Sequence, residues 1–118
     1  MERRRLPNER KSITHKFRIA DAKGYITVGL YEDGKPGELF INISKEGTSI
    51  SGTMNCFATM VSIALQHGVP MQDLIKKFSN VAFEPAGMTE NPEIPMASSV
   101  IDYIFKWLGR KFSPSIAQ

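Results

Sequence analysis

The apolar residues change their period once along this chain, and that change limits the folds open to it. From Lys16 to Ser44 the period is close to two. Phe17 and Ile19 alternate; Ile26, Val28 and Leu30 fall on one side with Tyr25, Thr27 and Tyr31 on the other; Leu39, Ile41 and Ile43 repeat the pattern. These read as three short strands. Glu32-Asp33-Gly34-Lys35-Pro36-Gly37 separates the second from the third, and its Asp-Gly and Pro-Gly pairs are strong turn formers, so antiparallel pairing follows. Ala22-Lys23-Gly24 is expected to turn the first pair. After Gly47 the period becomes helical, with Ile50, Met54, Phe57, Ala58, Val61, Ala64 and Leu65 spaced by three and four residues.

Thr48, Ser49 or Ser51 is expected to cap that helix and Gly68 to end it. A second, shorter helix is expected from near Pro70 to near Asn80, with Leu74, Ile75 and Phe78 facing inward. Residues 81–94 hold Pro85, Gly87 and Pro92, show no useful period and read as a loop. A third helix is expected from near Pro95, with Ala97, Val100, Ile101, Ile104, Phe105 and Leu108 on one face and Lys106, Arg110 and Lys111 suiting its C-terminal dipole. Strands followed by helices argue for an α+β fold: a three-stranded antiparallel meander followed by three helices packed on one face. At 118 residues there is room for one core, so residues 16–112 are expected to form a single domain, after a basic arm over 1–15 and before a tail over 113–118.

No apolar run reaches the length of a membrane span, and the start, MERRRLPNERK, lacks the apolar core of a signal peptide. The expectation is a cytoplasmic protein without a membrane partner. A single cysteine, Cys56, excludes an intramolecular disulfide or a cysteine-based metal cluster within one chain, and His15 and His67 stand apart from other ligand types, so no metal site is expected. Cys56 is expected to be buried as a small apolar residue rather than to act as a nucleophile. Glu32, Asp33 and Glu38 surround a turn and are expected to be solvated. Trp107 suits either the core or an interface.

The charge is unevenly placed. Residues 1–18 hold seven basic side chains (Arg3, Arg4, Arg5, Arg10, Lys11, Lys16, Arg18) against Glu2 and Glu9, whereas the whole chain carries only +3. Such an arm contacts phosphates by charge alone, in which case its removal through Lys11 weakens binding with little loss of stability, or it is a solvated, frayed terminus. Lys45-Glu46-Gly47-Thr48-Ser49-Ile50-Ser51 joins a strand to a helix. Lys45, Gly47, Thr48, Ser49 and Ser51 there suit a phosphate cradle, although the spacing is not that of a P-loop and ordinary helix capping explains the same residues.

Leu6-Pro7 through Arg10, Thr14-His15-Lys16-Phe17 and KGYITVGLYEDGKPGELFINISKEG (Lys23 to Gly47) resemble the C-terminal accessory domain of vitamin-B12-dependent, class II ribonucleotide reductases, of the type named for a terminal Thr-Ser-Cys-Pro-Asp motif. SGTMNCFATMVSIALQHGVPMQDLIKKF (Ser51 to Phe78), FEPAG (Phe83 to Gly87) and SSVIDYIFKWL (Ser98 to Leu108) continue the resemblance in the same order. Relatives of this type carry a cysteine soon after the second helix and more at their end, whereas Phe83-Glu84-Pro85 and Pro114-Ser115-Ile116-Ala117-Gln118 stand here. The resemblance implies a non-catalytic accessory domain or small subunit that docks onto a large catalytic chain. It implies too that cobalamin and the radical chemistry belong to that partner, so no cofactor is expected in this chain. The second expectation is a free-standing, dimeric module holding a nucleotide, a nucleic acid or another phosphate-bearing ligand through the turn and the arm.

Overall fold

The computed structural model describes residues 2–44 and 49–112. The fold is α+β: a three-stranded antiparallel sheet, β1 (Ser12–Ile19), β2 (Ala22–Leu30) and β3 (Pro36–Ser44), in the order β1-β2-β3, precedes three helices. The helices are α1 (Ile50–Gln66), α2 (Met71–Phe78) and α3 (Val100–Phe112), and two short strands, β4 (Gly87–Met88) and β5 (Met96–Ala97), pair antiparallel between the last two. The contacts divide the chain into two compact units. One runs to Lys16 and resumes over Gly24–Val69; the other takes the hairpin tip, Phe17–Lys23, and the residues from Pro70 on.

In the first unit the odd positions of β1 and β3 and the even positions of β2 lie on the buried side. Ile26, Val28, Leu39, Ile41 and Ile43 are at most 2% exposed. The β1/β2 hairpin turns on Ala20-Asp21, with Ala20 at φ 52°, rather than on Ala22-Lys23-Gly24, which already belong to β2. A two-residue turn suffices because the ladder closes directly on Ile19 and Ala22. Register follows from cross-strand contacts: Lys11 accepts the Leu30 amide at 2.9 Å, and the Thr14 and Thr27 hydroxyls meet at 3.5 Å. Thr14 therefore faces Thr27, and Lys16 faces Tyr25.

Between β2 and β3, a Cβ on Gly29 would lie 2.1 Å from Glu38 Oε2, and one on Gly24 would lie 3.0 Å from Ile43 Cβ. The same offset sets Thr27 opposite Phe40 and Tyr25 opposite Asn42. Helix α1 packs against β3 through Met54, Ala58 and Val61. It also meets the strand's main chain: Ser62 Oγ accepts the Leu39 amide at 2.8 Å and lies 3.1 Å from the Leu39 carbonyl, to which it can donate, while Gln66 Nε2 donates to the Gly37 carbonyl at 3.0 Å.

Helix α1 ends on His67, whose amide bonds the Ile63 and Ala64 carbonyls, and on Gly68 at φ 90°. Cys56, expected inside, is exposed. It lies two residues from both Met54 and Ala58, a rotation of about 200° around the helix, which turns it away from the stripe they form.

In the second unit α2 packs on α3, with Phe78 tilted against Phe105 at 5.4 Å between ring centroids, and Phe17 stacks on Tyr103 at 5.1 Å. Trp107 is 7% exposed and meets Phe112 edge-on, so it belongs to packing within this unit. The stretch expected as a loop over 81–94 contains β4, which β5 pairs, and the third helix begins at Val100 rather than near Pro95, leaving Ala97 in a strand. A cap sets that start. Ser99 Oγ accepts the Asp102 amide at 2.9 Å and donates to the Val81 carbonyl at 2.7 Å, while the fully buried Asp102 carboxylate accepts the Ser98 and Asn80 amides at 2.8 and 2.6 Å. This is a capping box whose return bond reaches Ser98 instead of the cap residue.

Candidate functional site

Among the described residues the basic arm is bound to its own unit rather than frayed. Arg10 grips Glu38 bidentately, Nε to Oε2 at 2.6 Å and Nη2 to Oε1 at 2.9 Å. Glu38, expected to be solvated, is 9% exposed. It sits over Gly29 because only a residue without Cβ leaves room for its carboxylate there. These hydrogen bonds raise the Arg10 pKa above its ordinary value, against the opposing effect of burial.

Arg3 Nε donates to Gln66 Oε1 at 2.6 Å and the Arg4 amide to the Gln66 carbonyl at 2.7 Å, so the buried Gln66 holds the arm on one side and β3 on the other. The Arg4 guanidinium lies 4.0 Å from the Tyr31 ring centroid, a cation–π geometry, and the Tyr31 hydroxyl donates to the Arg4 carbonyl at 2.5 Å. Burial raises the Tyr31 pKa, and the Arg4 charge opposes that. Gly37 allows the close approach, since a Cβ there would stand 2.5 Å from Tyr31 Cε2.

Of the residues expected to cradle a phosphate, Lys45, Gly47 and Thr48 lie outside the described residues. Ser49 occupies the N-cap position of α1 and makes no side-chain capping bond, and Ser51 is exposed in the first turn. Arg5 and Lys11 are exposed. Three of the five arm residues named for phosphate contact, Arg3, Arg4 and Arg10, therefore have their charged groups engaged inside the first unit. Deleting the arm through Lys11 removes these contacts.

Grooves formed within single units among the described residues include three. One of about 620 Å³ is lined by Arg10, Lys11, Tyr31, Glu32 and Asp33, with both signs of charge at its rim. A second, of about 320 Å³, runs along β3 beside α1, from Arg3 and Gln66 to Phe40, Asn55 and Thr59. The third, of about 400 Å³ and in the second unit, has Ile75, Ile94 and Phe105 in its lining with Lys106 and Arg110. Both cations of this groove are paired, Lys106 with Asp102 at 3.0 Å and Arg110 with Glu93 at 3.5 Å. No group of three or more metal-ligating side chains occurs among the described residues, and no helix there is long and apolar enough to cross a membrane.

The comparisons with known proteins bear on what this arrangement belongs to. The family model described as the TSCPD domain matches residues 2–112. The chain belongs to the TSCPD domain family. A vitamin B12-dependent ribonucleotide reductase of Rhodopirellula baltica is 54% identical over 110 residues, which cover 93% of this chain and 11% of that protein. Reductases of the same name from Streptomyces avermitilis and Agrobacterium fabrum are 46% and 42% identical, over 95% and 91% of the chain and 12% and 8% of their own lengths. This TSCPD domain thus spans about a tenth of the length of the curated relatives it matches. No solved structure matches it.

The relatives' name implies a cobalamin, and none of the three grooves described above is lined by a histidine.

Proposed function

We propose that this chain is a non-catalytic accessory domain or small subunit of an adenosylcobalamin-dependent, class II ribonucleotide reductase, and that it acts in the cytoplasm by docking onto the catalytic chain. One observation carries the reading: nearly the whole chain is 54% identical to a segment that makes up 11% of such a reductase. The chemistry of the chain supports it. One exposed cysteine, Cys56, supplies a single thiol, too few to be both radical site and dithiol reductant. The cobalamin is then held by the partner.

The test is direct binding of the full chain to the catalytic chain of the reductase from the same organism, by calorimetry, with ribonucleotide reduction assayed for each alone and for the mixture. The expected result is a saturable complex and no turnover by this chain alone. Absence of any complex at high micromolar concentration, or turnover by the pure chain with added adenosylcobalamin, overturns the reading. The phosphate-binding alternative has less support, because Arg3, Arg4 and Arg10 are engaged within the unit.

A further inference from the structure

The buried side of the sheet is accounted for by its apolar residues; the other side is not. In the first unit the register sets two rows across the strands on that second side, Thr14-Thr27-Phe40 and Lys16-Tyr25-Asn42. Phe40 is 53% exposed and Tyr25 46%, and they occupy diagonal positions on neighbouring strands. Thr14, Lys16 and Asn42 around them are exposed. At the end of the sheet the next row closes on Gly29 and Glu38, whose charge Arg10 neutralises.

The side chains of these rows differ from an ordinary solvated sheet face. Solvent faces of antiparallel sheets alternate toward charged and polar residues, whereas here the two rows hold a single charge, Lys16, beside two large aromatic side chains. Few charges and rigid aromatic groups mark the centre of protein interfaces, because an aromatic ring buries much area for little loss of rotamer freedom. The Thr14 and Thr27 hydroxyls already contact one another across the two strands at 3.5 Å.

We propose that this open face, centred on Tyr25 and Phe40, is the surface by which the chain docks onto the catalytic chain of the reductase, against an apolar patch that carries one carboxylate opposite Lys16. The inference rests on the accessory-domain reading above. Length and charge point to the occupant: the matching segment is about a tenth of the Rhodopirellula and Streptomyces avermitilis reductases, so some nine-tenths of those proteins lies outside this domain and is available to cover the face. Lys16 is the single charged residue of the two rows, so a partner surface with a single acid matches it, whereas a second copy would set two lysines near one another.

The experiment measures binding of the full chain to the same organism's catalytic chain for the parent, Tyr25→Ser/Phe40→Ser, Lys16→Glu, and Met60→Ser as a control. Met60 is 65% exposed on α1 and so tests whether removing any exposed apolar side chain has the same effect. The double variant is expected to bind about thirtyfold more weakly or worse, the loss typical of central aromatic anchors, with its melting temperature unchanged. Lys16→Glu is expected to weaken binding and Met60→Ser to leave it as it was. If the parent binds and the double variant binds equally well, this face is not the docking surface although the accessory reading stands. If the parent does not bind at all, that reading falls and the inference with it. A parent that sediments as a dimer, with the double variant a monomer, assigns the face to a second copy and overturns the proposal.

Discussion

Asp102 is the polar centre of the second unit, and replacing it with alanine tests how the segment between α2 and α3 is held. Its side chain is fully buried, and each oxygen takes one main-chain donor: Oδ1 the Asn80 amide at 2.6 Å and Oδ2 the Ser98 amide at 2.8 Å, with Lys106 Nζ at 3.0 Å from Oδ1. Hydrogen bonds to a charged acceptor contribute about 1.5–3 kcal/mol each. Two such bonds give about 3–6 kcal/mol, and partial access of the freed amides to water lowers the expected loss for Asp102→Ala to about 2–4 kcal/mol. Asp102→Asn should cost nearly as much, because its amide nitrogen must face one of the two donors. Lys106→Met should cost about 1–3 kcal/mol, since it leaves the fully buried Asp102 carboxylate without this counter-charge while both amide bonds remain. Trp107, the only tryptophan, is buried in the same unit, so guanidinium denaturation followed by its fluorescence reads the effect directly, and amide exchange at Asn80 and Ser98 localises it. A loss below ~0.5 kcal/mol for Asp102→Ala, with unchanged exchange at those amides, would refute the reasoning.

Gly29→Ala should cost about 1–3 kcal/mol by forcing Glu38 off Arg10, and Glu38→Ala in the same chain should remove the clash; additivity of the two losses in denaturant titrations would contradict this. Burial raises the pKa of Tyr103, whose hydroxyl accepts from Asn91 Nδ2, and of Tyr31 above the ordinary 10.0. The unfolded chain therefore ionises first, so stability is intact below about pH 10 and falls as pH rises beyond it; the fall should be shallower in Tyr103→Phe, and equal slopes for variant and parent would count against burial as the cause. Deleting residues 2–11 should lower the melting temperature by ~5 °C or more, because Arg3, Arg4 and Arg10 are bound to Gln66, Tyr31 and Glu38, and a melt indistinguishable from the parent's would show those contacts to be dispensable.

What was legible in the sequence was whatever repeats along it. The three strands and the first two helices follow from periods of two and 3.6, and the structure places Ile26, Leu39, Met54 and Ile75 inside as those periods require. Short or singular features were not legible in that way. Two-residue strands such as Gly87–Met88 have no period, and their pairing with Met96–Ala97 is a tertiary event. The start of α3 did carry a signal, Ser99-x-x-Asp102 before an apolar run, which outweighs the Pro95 on which the expectation rested. Gln66 and Glu38 lie 63 and 28 residues from the arginines that hold them, and no local pattern announces such a polar pair. Their burial turns what reads as a loose cationic tail into a strap. The order of motifs that marks the family, from Leu6 to Leu108, needed no geometry at all, and the family model matches residues 2–112.

Ser62 and Gln66 meet the main chain of β3 at Leu39 and Gly37 with side-chain groups, doing for that strand what a fourth strand would otherwise do. An uncovered sheet margin is a template on which other chains polymerise, and a helix that supplies donors and acceptors from its side chains removes the template without extending the sheet. Ser62→Val keeps the bulk of the helix but strips the margin at Leu39, and such a chain is expected to associate strand to strand more readily than the parent.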